Sequence, residues 1–198
     1  MMLEVPQKVE FVFNSNKIEN IQIPMDYYML NEIHKFPEIN GHFNAYDYMV
    51  EHCKEPLTEK HIKAMHKLLT AELLDKNNNG KYRRVPVFIG GHTGCNPIEI
   101  KGEMHKLIAQ CKRAKTEKEC WECHDEFEVI HPFIDGNGRT GRLILNWMRL
   151  KNGFPLFIVK HTDDMRWTYY EKIEAYRREK MDILFHSQYK KDIDNDKE

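Results

Sequence analysis

The stretch His131-Pro132-Phe133-Ile134-Asp135-Gly136-Asn137-Gly138-Arg139-Thr140-Gly141-Arg142 constrains the fold more than any other part of the chain. The residue before a proline avoids the α region, so the helix leading in ends at His131, which then faces a loop. Gly136, Asn137 and Gly138 can take conformations that aim successive backbone N–H groups one way. The next helix opens straight from that loop, with its first N–H groups free and its dipole positive, which makes an anion site. Arg139 and Arg142 share a face in its first turns. Two arginines there oppose the dipole unless an anion offsets them, which points to a polyphosphate ligand. Asp135 supplies a hard oxygen suited to Mg²⁺ held jointly with phosphate oxygens. His131 can take a proton from an incoming hydroxyl. Phe133 reads as the core anchor of the loop. A glycine-rich turn with surface ion pairs explains any one of these features, but not all of them at this spacing.

The rest of the pattern is helical. Thr58 reads as an N-cap followed by the stripe Ile62, Met65, Leu69 and Leu73, with the Asn77–Gly80 turn as its stop. Asn96-Pro97 with Glu99 reads as N-cap, first-turn proline and acid, ahead of Ile100, Met104, Leu107, Ile108 and Cys111 on one face. Thr116 with Glu119 forms a capping box for a helix running to about Ile130. A further helix runs from about Gly138 to Asn152, closed by Gly153 and Pro155. Its polar stripe continues through Asn146 and Arg149, opposite Leu143, Ile144, Trp147 and Leu150. The last helix spans about Asp164 to Phe185, with Tyr170, Ile173, Met181 and Leu184 on one face. Val85–Ile89 is β-prone, and Gly90-Gly91 turns it into an isolated hairpin that must pack on the helical body or serve as a binding edge.

The chain of 198 residues suits one domain, with residues 190–198 as a disordered tail. Lys and Arg number 30 against 31 Asp and Glu, so no basic field supports nucleic-acid binding as the main task. No apolar run approaches a transmembrane length, and the N-terminus has no secretory pattern. Five cysteines without that pattern fit reduced thiols in a cytoplasmic protein. Cys120-Trp121-Glu122-Cys123-His124 spells a c-type haem attachment pattern, but Cys123 and Phe127 read as core at helical spacing. His61 and His66 do not share a helix face. Trp147 and Trp167 read as packing residues, and the charged run Lys112–Lys118 as a solvated helix junction.

At His131 through Arg142 the sequence resembles the Fic family, whose signature HPFx[D/E]GN[G/K]RxxR is matched at every specified position. The likeness extends to Cys123-His124, Phe127 and Ile130 (family pattern LHxxFxxIHPF), to Gly80–His92, to Asn152-Gly153-Phe154-Pro155 and to Tyr169-Tyr170, covering about residues 10–185. The resemblance implies an all-α Fic domain with a small β-hairpin flap over residues 80–98 and catalytic helices over 117–152. It implies transfer of AMP from ATP, with Mg²⁺, to a Ser, Thr or Tyr hydroxyl of a target protein, with self-modification and a homodimer also compatible. By it His131 is the general base and Asp135 the metal ligand. Asn137, with the backbone of Gly136 and Gly138, holds the α-phosphate; Arg139 serves the β-phosphate and Arg142 the γ-phosphate. Ile89 of the flap clamps the target backbone as an added strand, and Tyr170 lies by the adenine. One position departs from the family pattern. Where many AMP-transferring members carry Asn, this chain has Arg177, which loosens the purine preference.

Ser15-Asn16-Lys17-Ile18-Glu19-Asn20 matches a second Fic pattern, [S/T]xxxE[G/N], carried by an inhibitory segment expected over about residues 10–35. The resemblance implies that Glu19 pairs with Arg142 and obstructs the γ-phosphate, as a carboxylate can when it competes for one guanidinium fork. Removal of AMP from a modified protein, transfer of another nucleotide-derived group, and a silent peptide-binding module are the alternatives.

Overall fold

In the computed structural model, residues 5–29, 35–89 and 92–195 are described, with the backbone alone for residue 92 and for 181–195. The described helices are α1 (Gln7–Ile18), α2 (Met25–Met29), α3 (Pro37–His52), α4 (Glu59–Leu69), α5 (Ile100–Arg113), α6 (Glu117–Ile130), α7 (Asn137–Lys151) and α8 (Asp163–Asn195). Two strands, β1 (Phe88–Ile89) and β2 (His92–Thr93), pair antiparallel with Phe88 opposite Thr93 and Ile89 opposite His92. The expected flap is therefore a pair of two-residue strands. Its Gly90-Gly91 turn lies outside the described residues, as do the side chains of Met181 and Leu184.

The fold is built around α7. Leu143, Ile144, Leu145, Trp147 and Met148 are all buried. So are Asn146 and Arg149, which the sequence places on the polar stripe opposite the buried side. Asn146 is enclosed because its amide donates to Phe157 O at 3.0 Å and its Oδ1 accepts Phe157 N–H at 2.7 Å. Arg149 donates to Pro155 O at 3.0 Å and pairs with Glu117. These contacts satisfy groups whose burial would otherwise cost about 1–3 kcal/mol each. Helices α1, α3, α4 and α6 pack around α7, while α5 and α8 pack against α6.

Local signals account for most helix ends. Thr58 caps α4 by accepting His61 N–H at 3.3 Å, and Thr116 with Glu119 forms the full capping box of α6. α7 closes in a Schellman motif: Gly153 is left-handed at φ 83°, its N–H reaches Leu150 O at 3.3 Å, and Phe154 N–H reaches Arg149 O at 2.9 Å.

Two ends differ from the sequence reading. α4 stops at Leu69 and leaves Leu73 in a turn, because the Asn79 amide bonds Lys67 O and Thr70 Oγ1 and folds the chain back over the helix end. α5 starts only at Ile100, because the Asn96 side chain accepts Ile98 N–H at 3.2 Å and spends itself on a turn instead of a cap. α8 continues past Phe185 to Asn195, into the stretch expected as a tail. α3 is an element that the sequence reading leaves unassigned.

Candidate active site

His131 ends α6 in the left-handed conformation, φ 50° and ψ 63°, while Pro132 prevents further helix. A non-glycine residue there costs ~1–2 kcal/mol and persists only where its surroundings hold it. The His131 Nδ1 lies 3.3 Å from Glu128 O. A carbonyl only accepts, so Nδ1 carries the proton and Nε2 keeps its lone pair. Burial, with the nearby Arg83 and Arg177 charges in the same direction, pushes the ring pKa down to about 4, although the Glu128 carbonyl contact opposes the shift. At neutral pH the ring is therefore an unprotonated base.

The loop after it is closed by Asn137, whose side chain both donates to Phe133 O and accepts Phe133 N–H, each at 2.9 Å. That side chain is thereby committed to shaping the loop. Gly136 stands at φ 74° as the N-cap of α7, a conformation that glycine adopts freely. Asp135 Oδ1 accepts the Gly136 N–H at 2.6 Å, and its side chain is 63% exposed at the loop surface. Arg139 is buried behind it with Nη2 3.8 Å from Asp135 Oδ2. The Arg139 Nε and Nη1 are buried without a hydrogen-bond partner among the described residues. Burying those two donors without a partner carries a desolvation cost.

Arg142 is occupied. Its Nε donates to Ser15 Oγ at 2.8 Å, and its Nη2 to Ser15 O at 2.9 Å and to Glu19 Oε1 at 2.7 Å. Its Nη1 lies 3.3 Å from Tyr169 Oη. Glu19 ends α1, and Asn20 after it is left-handed at φ 61°, which Asn or Gly tolerates best. α1 is pinned here by Asn16, whose side chain reaches Tyr28 Oη, Glu38 O and His42 Nδ1. The Glu19 carboxylate lies against Gly138, where an added Cβ would run into Oε1. A protein carboxylate thus rests on the positive end of α7.

These groups meet at a cavity of about 1200 Å³ walled by Glu19, Ile89, His131, Gly138, Arg142, Tyr170 and Arg177 among others. Asp135, Asn137 and Arg139 are not part of that wall. The Tyr170 hydroxyl donates to Ile18 O at 3.4 Å. Arg177 is buried, with Nε without a hydrogen-bond partner among the described residues and 3.8 Å from Glu174 Oε2. Trp147 is packed as expected, stacked on His61 at 4.7 Å. Trp167 is not: it is 68% exposed and lines the cavity beside Phe88, because it falls on the outer face of α8.

Three further residues support the site. His66 is buried, accepts Gly80 N–H at Nδ1 and donates from Nε2 to Asp135 O, each at 3.0 Å, and stacks on Phe133 at 3.7 Å. Glu128 is buried beneath His131 with its pKa pushed up to about 8 by burial, against the opposing charge of Arg142. Arg83 binds the carbonyl of His131. In sequence each sits among ordinary helix or loop residues, and only the lead-in pattern around Phe127 and the Gly80–Arg84 match hinted at two of them.

Residues 56–148 match the family model of the Fic/DOC family. The protein adenylyltransferase Fic of Drosophila grimshawi is 28% identical over 125 residues, 61% of this chain and 26% of that protein. Its counterpart in Drosophila ananassae is 28% identical over 129 residues, 61% of this chain and 25% of that protein. The chain therefore spans about a quarter of the length of these curated relatives. A Fic domain containing signaling protein from Bacteroides thetaiotaomicron shares the fold, with a TM-score of 0.74 at 23% identity, covering 84% of this chain and 71% of that one. With the helix–loop–helix geometry of His131–Arg142 and this match together, residues 56–148 are a Fic/DOC family domain.

Proposed function

We propose that this chain transfers AMP from ATP to a hydroxyl side chain of a target protein, and that Glu19 restrains the transfer. The observation that carries the reading is the Glu19 carboxylate on Arg142 and Gly138, within the same cavity as a neutral His131. An anion already occupies the place where a polyphosphate would gain the helix dipole and a guanidinium fork.

In the proposed reaction the target hydroxyl oxygen forms a bond to the α-phosphorus, and the bond from that phosphorus to the pyrophosphate oxygen breaks. The hydroxyl proton passes to His131 Nε2. The N–H groups of the first turn of α7 take the phosphate oxygens, with Asn137 fixing the loop that presents them. Arg139 offsets charge growing on the pyrophosphate, and Arg142 takes its far end once Glu19 withdraws. The residues present fit Mg²⁺: Asp135, exposed at the loop, would hold the ion through its carboxylate beside bound phosphate. Bound there, it would neutralise phosphate charge. The flap edge at Ile89 would pair with the target backbone.

Incubation with labelled ATP, UTP or CDP-choline, each with Mg²⁺, tests the reading. Label on protein from ATP supports it. Label from another donor alone reassigns the transferred group, and label from none, even in Glu19→Gly, favours a peptide-binding module.

A further inference from the structure

We propose that Arg83 is a positioning residue for His131, locking the left-handed end of α6 to both feet of the β1–β2 pair so that a target docked on that pair meets the base in one register. The inference rests on the transfer reading above. Arg83 is buried, and its guanidinium gathers four main-chain carbonyls. Nε donates to His131 O at 2.8 Å, Nη1 to Val85 O at 2.9 Å, and Nη2 to Cys95 O at 2.6 Å and Ile130 O at 3.4 Å. Its own N–H donates to Pro132 O at 2.9 Å. Val85 precedes β1 and Cys95 follows β2, so one side chain ties together the entry and exit of the strand pair. The remaining bonds hold the last turn of α6 and the first residue past it. The fork reaches Cys95 because position 94 is glycine: a Cβ there would stand 2.9 Å from Arg83 Nη2.

Two consequences follow for His131. A left-handed residue between a helix and a proline leaves its carbonyl turned out of the helix, and Arg83 takes that carbonyl. The arginine also places a positive charge near the ring. The groups facing the ring are Glu128 of α6, Glu19 at the end of α1, Arg177 of α8 and Arg83, with Arg142 of α7 on the same cavity wall. Arg83 and Arg177 favour the unprotonated ring, whereas Glu19 favours the protonated one. The Arg83 side chain donates to the carbonyls of Val85, Cys95, Ile130 and His131, none of them a group assigned above to ATP, so its removal leaves the proposed phosphate contacts in place.

NMR titration of the His131 ring in wild type, Arg83→Gln and Arg83→Lys tests the electrostatic half without any assay of transfer. The midpoint should rise in Arg83→Gln and stay near the wild-type value in Arg83→Lys, which keeps the charge. Transfer in the Glu19→Gly background tests the geometric half. Both Arg83 variants should lose about a hundredfold in kcat, since an ammonium cannot span four carbonyls. Their ATP dissociation constants should equal that of the parent. A folded Arg83→Gln protein with an unmoved His131 midpoint, or Arg83→Lys with full kcat, overturns the proposal. Should Arg83→Gln not fold, Arg83→Lys alone decides by its kcat. Absence of any labelling by Glu19→Gly itself would count against the transfer reading, and the titration would still decide the role of Arg83.

Discussion

The Glu19 carboxylate and the Arg142 guanidinium meet at 2.7 Å across the gap between the end of α1 and the first turns of α7, with Arg142 almost wholly enclosed and Glu19 31% exposed to the cavity. The pair differs from a surface salt bridge, which is worth little. Ser15 and Tyr169 bond the same guanidinium, so Arg142 keeps those partners when Glu19 leaves it. An anion that displaces Glu19 need not rebuild the rest of the arginine's partners.

His131→Ala should abolish labelling while ATP still binds. In the proposed transfer the ring would act on the attacking hydroxyl, and loss of a general base costs about 10²–10⁴-fold. Calorimetry of ATP binding beside a transfer assay checks both halves. Unchanged transfer by the folded variant would remove His131 from the mechanism.

The pH profile of transfer should keep its rate down to acid pH. His131 is held down to about 4, so the base form persists above that value and is lost only as the pH falls through it. An acid limb near the ordinary histidine range of about 6.5 would contradict the burial seen here.

Asp135→Ala should lose the Mg²⁺-dependent rate, and excess Mg²⁺ should not restore it fully. The carboxylate is the accessible hard oxygen of the loop. Rates across a Mg²⁺ series give the answer; a variant as active as wild type at limiting Mg²⁺ would leave Asp135 without a metal role.

His66 should make stability pH-dependent. Burial pushes its pKa down to about 4 in the folded protein, against about 6.5 when unfolded. Between those values the unfolded chain binds the extra proton, so stability is full above about pH 6.5 and falls as the pH drops toward 4. The loss is of order 3 kcal/mol for this group. Urea unfolding at pH 7 and pH 5 should show it, and His66→Gln should be less stable at pH 7 yet less sensitive to pH. An equal pH dependence in both proteins would sink the assignment.

Much of the site was legible because its parts are consecutive. A proline, three small or turn-forming residues and two arginines in twelve positions dictate a helix end, a loop and a helix start, and the structure builds them there. The capping box at Thr116 and the stop at Gly153 were local for the same reason. What sequence could not give is set by distant contacts. Asn146 and Arg149 read as a polar stripe apart from the core, and only the contacts with Phe157 and Pro155 show that they are buried. His66 lies 69 residues from the Asp135 carbonyl that it holds. Trp167 looks like core, yet α8 turns it to the cavity mouth.

Hydrolytic removal of AMP from a modified target separates two roles for Glu19. If Glu19 positions water for removal of AMP, Glu19→Gly should destroy release of AMP from a modified target. If it only blocks Arg142, release should be unaffected. Assay of transfer and of hydrolytic release on one target distinguishes these.

The central claim is that Glu19 on Arg142 holds a competent transferase in check, and labelling of wild type, Glu19→Gly and Glu19→Gly/His131→Ala with ATP and Mg²⁺ measures it most directly. The single variant should label itself and added protein more than wild type, by up to about a hundredfold if the free state is near 1% populated. The double variant should be silent. Equal labelling by wild type and a well-folded Glu19→Gly protein would contradict the claim.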